Sequence, residues 1–326
     1  MNKVYVLHEN NEWIDPLAEA FEKYNIPWED WHLGEGQLAL DEAPPEGVFY
    51  NRMSASSHTR GNHFAPELTF AVLSWLENYD RKIINNAAAL SLELSKVAQY
   101  AALKREGIRT PRTVAVVGKQ QLKRIPETLG FGPYIVKPNR GGKGLGVNLF
   151  NTLDEVESFL AVSANDSVDG IWLVQEYIKP PESYIVRCDF VGGEFLYASR
   201  VDTSNGFELC PADFCGLDAN PNNRETADTS NFSIMNNFFE FDLIESYQHF
   251  LANNGIDTAG IEFVTDRNGQ VYTYDVNTNT NYNSIAEKAA GVPLTGMDAV
   301  AQYLKSELEG IEVYSEDYLM AEKICV

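Results

Sequence analysis

The N-terminal part of the chain alternates short apolar runs with segments of helical periodicity, and this alternation strongly constrains the fold. Apolar runs bounded by polar residues predict strands, and apolar positions three or four residues apart predict helices. Strands that alternate with helices form parallel sheets, because parallel neighbours need a long crossover connection. The predicted strands are 3–7, 28–33, 47–50 and 82–85, and the predicted helices are 14–24 and 64–79.

Polar segments follow two of these predicted strands, at residues 8–11 and 51–62. In parallel sheets, ligands bind in the crevice beyond the carboxyl ends of the strands. We therefore expect a binding site there. A polar connecting loop without a ligand explains the pattern equally well. The candidates for binding a substrate carboxylate are Arg52, Ser54, His58 and Arg60.

Residues 261–276 predict a β-hairpin that brings two carboxylates together. Its apolar strands are joined by Asn268-Gly269, a strong signal for a two-residue turn. That register places Glu262 directly opposite Asp275, with Asn277 on the same face. Two carboxylates and an amide oxygen suit Mg²⁺. The alternatives are an exposed polar face, or a bulge that shifts the register.

A second hairpin is predicted around Gly192-Gly193. A two-residue turn there places Arg187 opposite Ala198 and Arg200 opposite Ile185. Both arginines then share one face of the sheet, where they are placed to bind phosphate through paired N–H groups. The alternative is that each arginine pairs with a neighbouring aspartate.

A glycine-rich loop at residues 139–146 lies between two predicted strands, 134–138 and 147–150. It is neither a P-loop nor a dinucleotide-binding turn, since both of these lead into a helix. Such a loop can close over a triphosphate through its backbone N–H groups, and Lys137 lies just before it. Taken alone, a glycine-rich hairpin without a ligand is the default interpretation.

These motifs follow one another in an order that resembles the ATP-grasp carboxylate–amine ligases. A predicted helix with Lys96 leads into 107–113, followed by 134–138, the glycine-rich loop, 174–178, Arg187 and the carboxylate hairpin. The order most resembles the branch with ribosomal-protein glutamate ligases, lysine-biosynthesis ligases and glutathione synthetase. The resemblance implies an α/β and α+β fold. Its parts are a parallel α/β domain at 1–90, a small ATP-grasp lobe at 91–172 and a large lobe at 173–326.

The resemblance also implies roles for individual residues. The nucleotide would contact Lys96, Lys137, Gly142, Lys143, Gly144, Gln175, Glu176, Tyr177 and Ile178, with Glu182 near the ribose. Two Mg²⁺ ions, or Mn²⁺ as an alternative, would bind Glu262, Asp275 and Asn277. Arg187 and Arg200 would stabilise the transferring phosphoryl group. Segments 207–215 and 278–283 depart from the family pattern, which makes Asn279 a candidate substrate contact.

The implied activity joins a carboxylate to an amine through an acyl phosphate, releasing ADP and phosphate. An amino acid or a small peptide is the expected substrate. The alternatives are an ATP-grasp kinase that forms no amide, and a nucleotide-binding module without catalysis. Because dimers and tetramers are common in this family, a homo-oligomer is also open.

Composition limits the partners. The chain has 25 Lys+Arg against 47 Asp+Glu, a net charge of −22, which disfavours nucleic acid and anionic membranes. No apolar run is long enough to span a bilayer, and the N-terminal apolar run is too short for a signal peptide. The cysteines, Cys188, Cys210, Cys215 and Cys325, form no zinc pattern, so we expect reduced thiols in a cytoplasmic protein. An ATP site in so acidic a protein requires a local basic pocket, formed by Lys96, Lys137, Lys143, Arg187 and Arg200.

Overall fold

The computed structural model describes residues 2–142, 144–162, 167–204, 231–238 and 240–324. Lys143 and segment 207–215 lie outside the described residues. Within the described ranges the strands form three sheets, one parallel and two antiparallel. None of the described helices is long and apolar enough to cross a membrane.

The first sheet confirms the predicted parallel arrangement. Its strands are β1 (Lys3–His8), β2 (Trp28–His32), β3 (Gly47–Asn51) and β4 (Lys82–Ile84), in the order β2-β1-β3-β4. Helices α1 (Asp15–Tyr24) and α2 (Ala65–Glu77) connect them, and each has a proline in its first turn. Proline suits that position because its missing N–H has no intrahelical partner there.

The predicted helix that carries Lys96, expected at 91–105, is two helices, α3 (Ala87–Leu94) and α4 (Lys96–Arg105). Ser95 has an extended backbone between them, and its hydroxyl accepts a hydrogen bond from the Ala98 N–H at 3.2 Å. Serine is favoured at this capping position because it satisfies an N–H that lacks an intrahelical partner. The break makes Lys96 the first residue of α4.

The second sheet is antiparallel and carries the glycine-rich loop. It contains β5 (Thr113–Val116), β6 (Tyr134–Pro138), β7 (Asn148–Phe150) and β8 (Trp172–Glu176), in the order β5-β8-β6-β7. Helices α5 (Ile125–Leu129) and α6 (Leu153–Val162) pack on it around Val136, Val156 and Val174. The loop joins β6 to β7, between two strands as the sequence predicts.

The third sheet is also antiparallel. Its strands are β9 (Tyr184–Val191), β10 (Glu194–Asp202), β11 (Phe232–Ile234), β12 (Thr258–Thr265) and β13 (Val271–Asn277), in the order β11-β10-β9-β12-β13. The helices of this part of the chain are α7 (Phe241–Asn253), α8 (Ser284–Ala290) and α9 (Gly296–Ile324). Helix α7 covers one face of the sheet, where Phe190, Phe250 and Phe263 are buried. Helix α9 instead packs against α1 and the first sheet.

The β12–β13 hairpin places Glu262 opposite Asp275, as predicted, but it does so by a different route. The Asp266 N–H bonds the Gln270 carbonyl at 2.9 Å, so the connection is a three-residue loop instead of two. A bulge after Glu262 then restores the predicted register, because Phe263 pairs with Thr273. The longer loop and the bulge shift the register in opposite directions, so Glu262 and Asp275 pair as predicted.

The β9–β10 hairpin contains an uncancelled bulge, between Phe195 and Tyr197. Beyond it Arg187 pairs with Ser199, and Arg200 pairs with Val186. The predicted pairing of Arg187 with Ala198 is therefore wrong. A shift of one residue turns a side chain to the other face of a sheet. Arg200 consequently lies on the face opposite to Arg187.

Candidate active site

A cleft that is partly open to solvent lies where the sheets meet; its empty space, counting the open part, is about 1420 Å³. The glycine-rich loop, β8 and the segments after β3 and β13 contribute to its walls. The cleft brings together 14 of the residues that the sequence singles out: Ser54, Lys96, Lys137, Gly142, Gly144, Gln175, Glu176, Tyr177, Ile178, Arg187, Glu262, Asp275, Asn277 and Asn279.

Lys96 forms a short ion pair at the start of α4. Its Nζ donates to Asp275 Oδ1 at 2.6 Å, and its side chain is only 9% exposed. Burial is the largest single effect and lowers the pKa of Lys96, but the charge and hydrogen bond of Asp275, together with Tyr100 and Glu93, raise the pKa overall. Lys96 is thus a positive charge fixed beside the predicted metal ligands.

Lys137 is buried without a carboxylate partner among the described residues. Its Nζ donates to the Tyr100 hydroxyl at 2.7 Å and lies 5.3 and 5.4 Å from the ring centroids of Tyr100 and Tyr274. Burial, followed by the positive charge of Lys96, lowers the pKa of Lys137 to about 7. An anion entering the cleft would favour the protonated form of this amine.

Arg187 is held on three sides by protein groups. Its Nε donates to Asp189 Oδ1 at 3.0 Å, Nη1 donates to Glu262 Oε1 at 3.3 Å, and Nη2 donates to the Thr280 hydroxyl. Gly260 lies beneath the guanidinium, and a Cβ at this position would overlap it. Burial lowers the pKa of Arg187, but Asp189 and Glu262 outweigh burial and raise it.

The opposed carboxylates share their face with an extra side chain. Because of the bulge, consecutive residues Tyr274 and Asp275 both line the cleft, and the Tyr274 hydroxyl donates to Glu262 Oε2 at 3.2 Å. Burial and then the charge of Asp275 raise the pKa of Glu262, against the opposing effect of Arg187. A divalent cation would relieve this repulsion. Two carboxylates and the Asn277 amide therefore fit Mg²⁺ completed by ligand phosphates.

The wall near β8 is largely apolar and suits a flat ring. It combines Ile135, Leu145, Val147, Tyr177, Ile178, Ile185 and Val264. The Glu176 carboxylate is turned to Arg112, accepting from its backbone N–H at 2.8 Å and its Nε at 2.7 Å. The Gln175 amide donates to the hydroxyls of Tyr100 and Thr113, both at 2.9 Å. These contacts fix the edge at which the resemblance places adenine.

Glu182 and Arg200, predicted near the ribose and the phosphates, lie outside the cleft lining. Arg200 Nη2 pairs with Glu182 Oε2 at 3.1 Å, and both side chains are substantially exposed. The Arg200 guanidinium also stacks over the Tyr184 ring, 3.9 Å from its centroid. The prediction that Arg200 faces the phosphates beside Arg187 is wrong, because the β10 bulge turns it to the other face. The Glu182 carboxylate points to Arg200 instead of lining the cleft.

Arg52 and Arg60, the N-terminal candidates for binding a substrate carboxylate, instead bond to other protein groups near the cleft. Arg52 is 2% exposed and donates to protein oxygens through Nε and both terminal nitrogens. Arg60 forms a two-pronged pair with Glu9, at 3.0 and 2.5 Å, and stacks over Trp13. The prediction that these arginines bind a substrate carboxylate conflicts with this engagement. His58 is absent from the lining, whereas Ser54 is part of it.

The sequence missed several lining residues. Glu93 is 8% exposed, and its carboxylate accepts from the backbone N–H groups of Ala55 at 3.2 Å and Thr278 at 2.8 Å. Burial raises its pKa. Tyr100 is not part of the lining, but its hydroxyl accepts from Lys137 and Gln175. It could have been predicted, because it follows Lys96 by four residues and therefore shares its helix face. The other missed polar or aromatic lining residues are Trp13, Ser56, Thr203, Tyr274, Thr280 and Asn281.

Comparison with known proteins identifies the domain. Residues 94–209 match the model of a RimK-like ATP-grasp domain. The probable alpha-L-glutamate ligase 1 of Pseudoalteromonas atlantica is 31% identical over 134 residues, 40% of this chain and 42% of that protein. The probable alpha-L-glutamate ligase of Methanococcoides burtonii is 26% identical over 230 residues, 68% of this chain and 66% of that protein. The chain thus spans less than two thirds of the length of either relative.

A solved structure extends the likeness to nearly the whole chain. The ATP-grasp ligase PsnB, complexed with minimal precursor, Mg and ADP, matches with a TM-score of 0.64 at 12% identity. The match covers 94% of this chain and 99% of PsnB. Identity this low demonstrates a shared fold and nothing finer. Residues 94–209 are therefore similar to a RimK-like ATP-grasp domain, and the chain has the fold of the ATP-grasp ligases.

Proposed function

We propose that this protein is an ATP-dependent ligase that joins a carboxylate to an amine through an acyl phosphate, releasing ADP and phosphate. The observation that carries the proposal is the buried Lys137, which lines the same cleft as Arg187 and has no carboxylate partner among the described residues. A buried amine without a counterion is costly unless an anion completes the site. The relatives named glutamate ligases support the same activity.

The chain's own groups position and neutralise the reactants. A carboxylate is a poor electrophile, and transfer of the γ-phosphoryl group gives it a good leaving group, which the amine then displaces. Lys137 and Lys96 would bind the phosphates, and Arg187 would neutralise charge on the transferring group. The glycine-rich loop would exclude water. When bound, Mg²⁺ held by Glu262, Asp275 and Asn277 would supply further charge neutralisation.

We further propose an amino acid or a small peptide as substrate. Away from the apolar residues, the lining offers the polar side chains of Ser54, Ser56, Asn279 and Asn281 with the Trp13 ring, which suit amide and carboxylate groups. We also propose a cytoplasmic location and domain boundaries after residues 90 and 172. A homo-oligomer is proposed as well, with a monomer as the alternative.

The test is an ADP-release screen over pairs of amino acids and short peptides, with each product weighed by mass spectrometry. A ligase releases ADP only when both acid and amine are present, and the product mass equals their sum less water. Equal rates of ADP and phosphate release without any amine would refute ligation. A phosphorylated product would indicate a kinase, and nucleotide binding without turnover would indicate a non-catalytic module.

Asp275→Asn tests the metal site in the same assay. It keeps the side chain's shape but removes one charge from the proposed cation site, so we expect turnover to fall at least about a hundredfold. Arg200→Gln is the matched control, because its guanidinium is exposed on the opposite face. Unchanged turnover in Asp275→Asn would refute the metal assignment.

A further inference from the structure

The segment after β13, residues 278–281, forms one wall of the cleft and is held from behind by the N-terminal sheet. Asn279, Thr280 and Asn281 line the cleft. Arg52, which follows β3, donates through Nη2 to the Thr280 carbonyl at 3.0 Å and to Asn281 Oδ1 at 2.7 Å. Its Nη1 is anchored on the Trp13 carbonyl at 2.9 Å. Arg52 therefore fixes this wall without lining the cleft itself.

Thr280 links this arginine to the one in the proposed phosphate site. Its carbonyl accepts from Arg52, whereas its hydroxyl accepts from Arg187 Nη2 and lies 3.4 Å from Asp189 Oδ1. Thr280 is only 2% exposed, so water has little access to replace these contacts. A single residue thus joins the guanidinium group that follows β3 of the first sheet to the one on β9 of the third sheet.

The hydroxyl of Thr280 completes the set of acceptors that orients Arg187. Asp189 holds Nε and Glu262 holds Nη1, while Thr280 accepts from Nη2. Without the hydroxyl, Nη2 loses that acceptor, and the guanidinium is free to turn toward Asp189. We infer that Arg52 is a positioning residue that acts through Thr280 to set the direction of the Arg187 guanidinium.

This inference rests on the proposed function, since it concerns how well Arg187 meets the terminal phosphate. Its direct consequence is a change in the preference for a triphosphate over a diphosphate. That preference is measured without any acceptor, as the ratio of the dissociation constants of ADP and a non-hydrolysable ATP analogue. The ratio cancels effects on the adenine end, which both nucleotides share.

Thr280→Val removes the hydroxyl and keeps the shape of the side chain, while Thr280→Ser keeps the hydroxyl. We expect the ratio to fall about tenfold or more in Thr280→Val, because a hydrogen bond to a charged group is lost. Thr280→Ser should restore the ratio to within about threefold of wild type. Arg52→Lys should also lower the ratio, because an ammonium group does not reproduce the guanidinium's fork of donors.

Arg81→Lys is the matched control for Arg52→Lys. Arg81 also cross-links backbone carbonyls in the N-terminal part, those of Pro45 at 3.0 Å and Pro44 at 2.8 Å, but it does not line or support the cleft. Its variant should lose thermal stability with an unchanged nucleotide ratio. A wild-type ratio in Thr280→Val, or no recovery in Thr280→Ser, would overturn the inference and leave the function standing. A wild-type protein that binds neither nucleotide would overturn both.

Discussion

Replacing Gly260 by alanine tests whether Arg187 occupies the place described above. An alanine Cβ would lie 2.7 Å from Arg187 Nε and closer still to the carbon and one terminal nitrogen of the guanidinium. The backbone of Gly260 is ordinary strand, so alanine itself is not strained there, and Gly→Ala in a strand would otherwise stabilise by about 0.5–1 kcal/mol. The guanidinium must therefore move, away from Asp189, Glu262 or both.

The expected losses of stability and of turnover follow from the contacts that the displaced Arg187 guanidinium loses. Overpacking a buried site costs about 1–3 kcal/mol, and breaking one buried ion pair costs about 3–5 kcal/mol. Since a displaced guanidinium keeps part of its pairing, we expect a net loss of about 1–3 kcal/mol in the free energy of unfolding. Turnover should fall about 10²-fold or more, as when a group that stabilises developing charge is removed.

Two measurements check this expectation: chemical denaturation for stability, and ADP release under saturating substrates for turnover. Gly310→Ala is the control, because a Cβ there meets nothing within 4 Å. As a helix position it should gain about 0.5–1 kcal/mol. If Gly260→Ala were as stable and as active as wild type, the packing of Arg187 over Gly260 would be refuted.

Three further outcomes are expected. Because the pKa of Lys137 is about 7 in the free protein, ATP binding should take up a proton above pH 7, and ATP affinity should weaken as pH rises. Calorimetry in two buffers of different ionisation enthalpy measures this uptake; its absence at about pH 8 would contradict the assignment. Tyr100→Phe should raise the ATP dissociation constant severalfold, because Lys137 and Gln175 both donate to its hydroxyl. Arg200→Gln should leave turnover within about twofold of wild type, and a larger loss would contradict its placement outside the cleft.

The predicted strands and helices of the first sheet were recovered because their signals are local. An apolar run such as that of β1 is readable without its neighbours, and so is the four-residue spacing of α1. The break at Ser95 was missed because serine is also tolerated within helices. What settles the break is tertiary: Asn139 Oδ1 accepts from the Val97 N–H at 2.9 Å.

The sequence correctly placed those site residues whose position follows from the alternation of side chains along a strand. It misplaced those whose position depends on a bulge. Glu262 and Asp275 lie opposite each other as predicted because the register shift from the longer loop is offset by the shift from the bulge. Arg200 was misplaced because a bulge in β10 had no such compensation. No feature of the sequence at residues 194–197 indicates a bulge. Glu93 and Thr280 were missed for another reason, since their partners lie far away in the chain.

The packing of α9 has a consequence for the order in which the chain folds. Val6 and Leu17, near the start, share a core with Val300 and Leu304 of that last helix. During synthesis the first sheet leaves the ribosome early, with this apolar face uncovered until both other sheets have been made. The nascent chain therefore exposes this apolar surface until α9 has been synthesised. We expect chaperone dependence to be greatest for chains that stop just before α9.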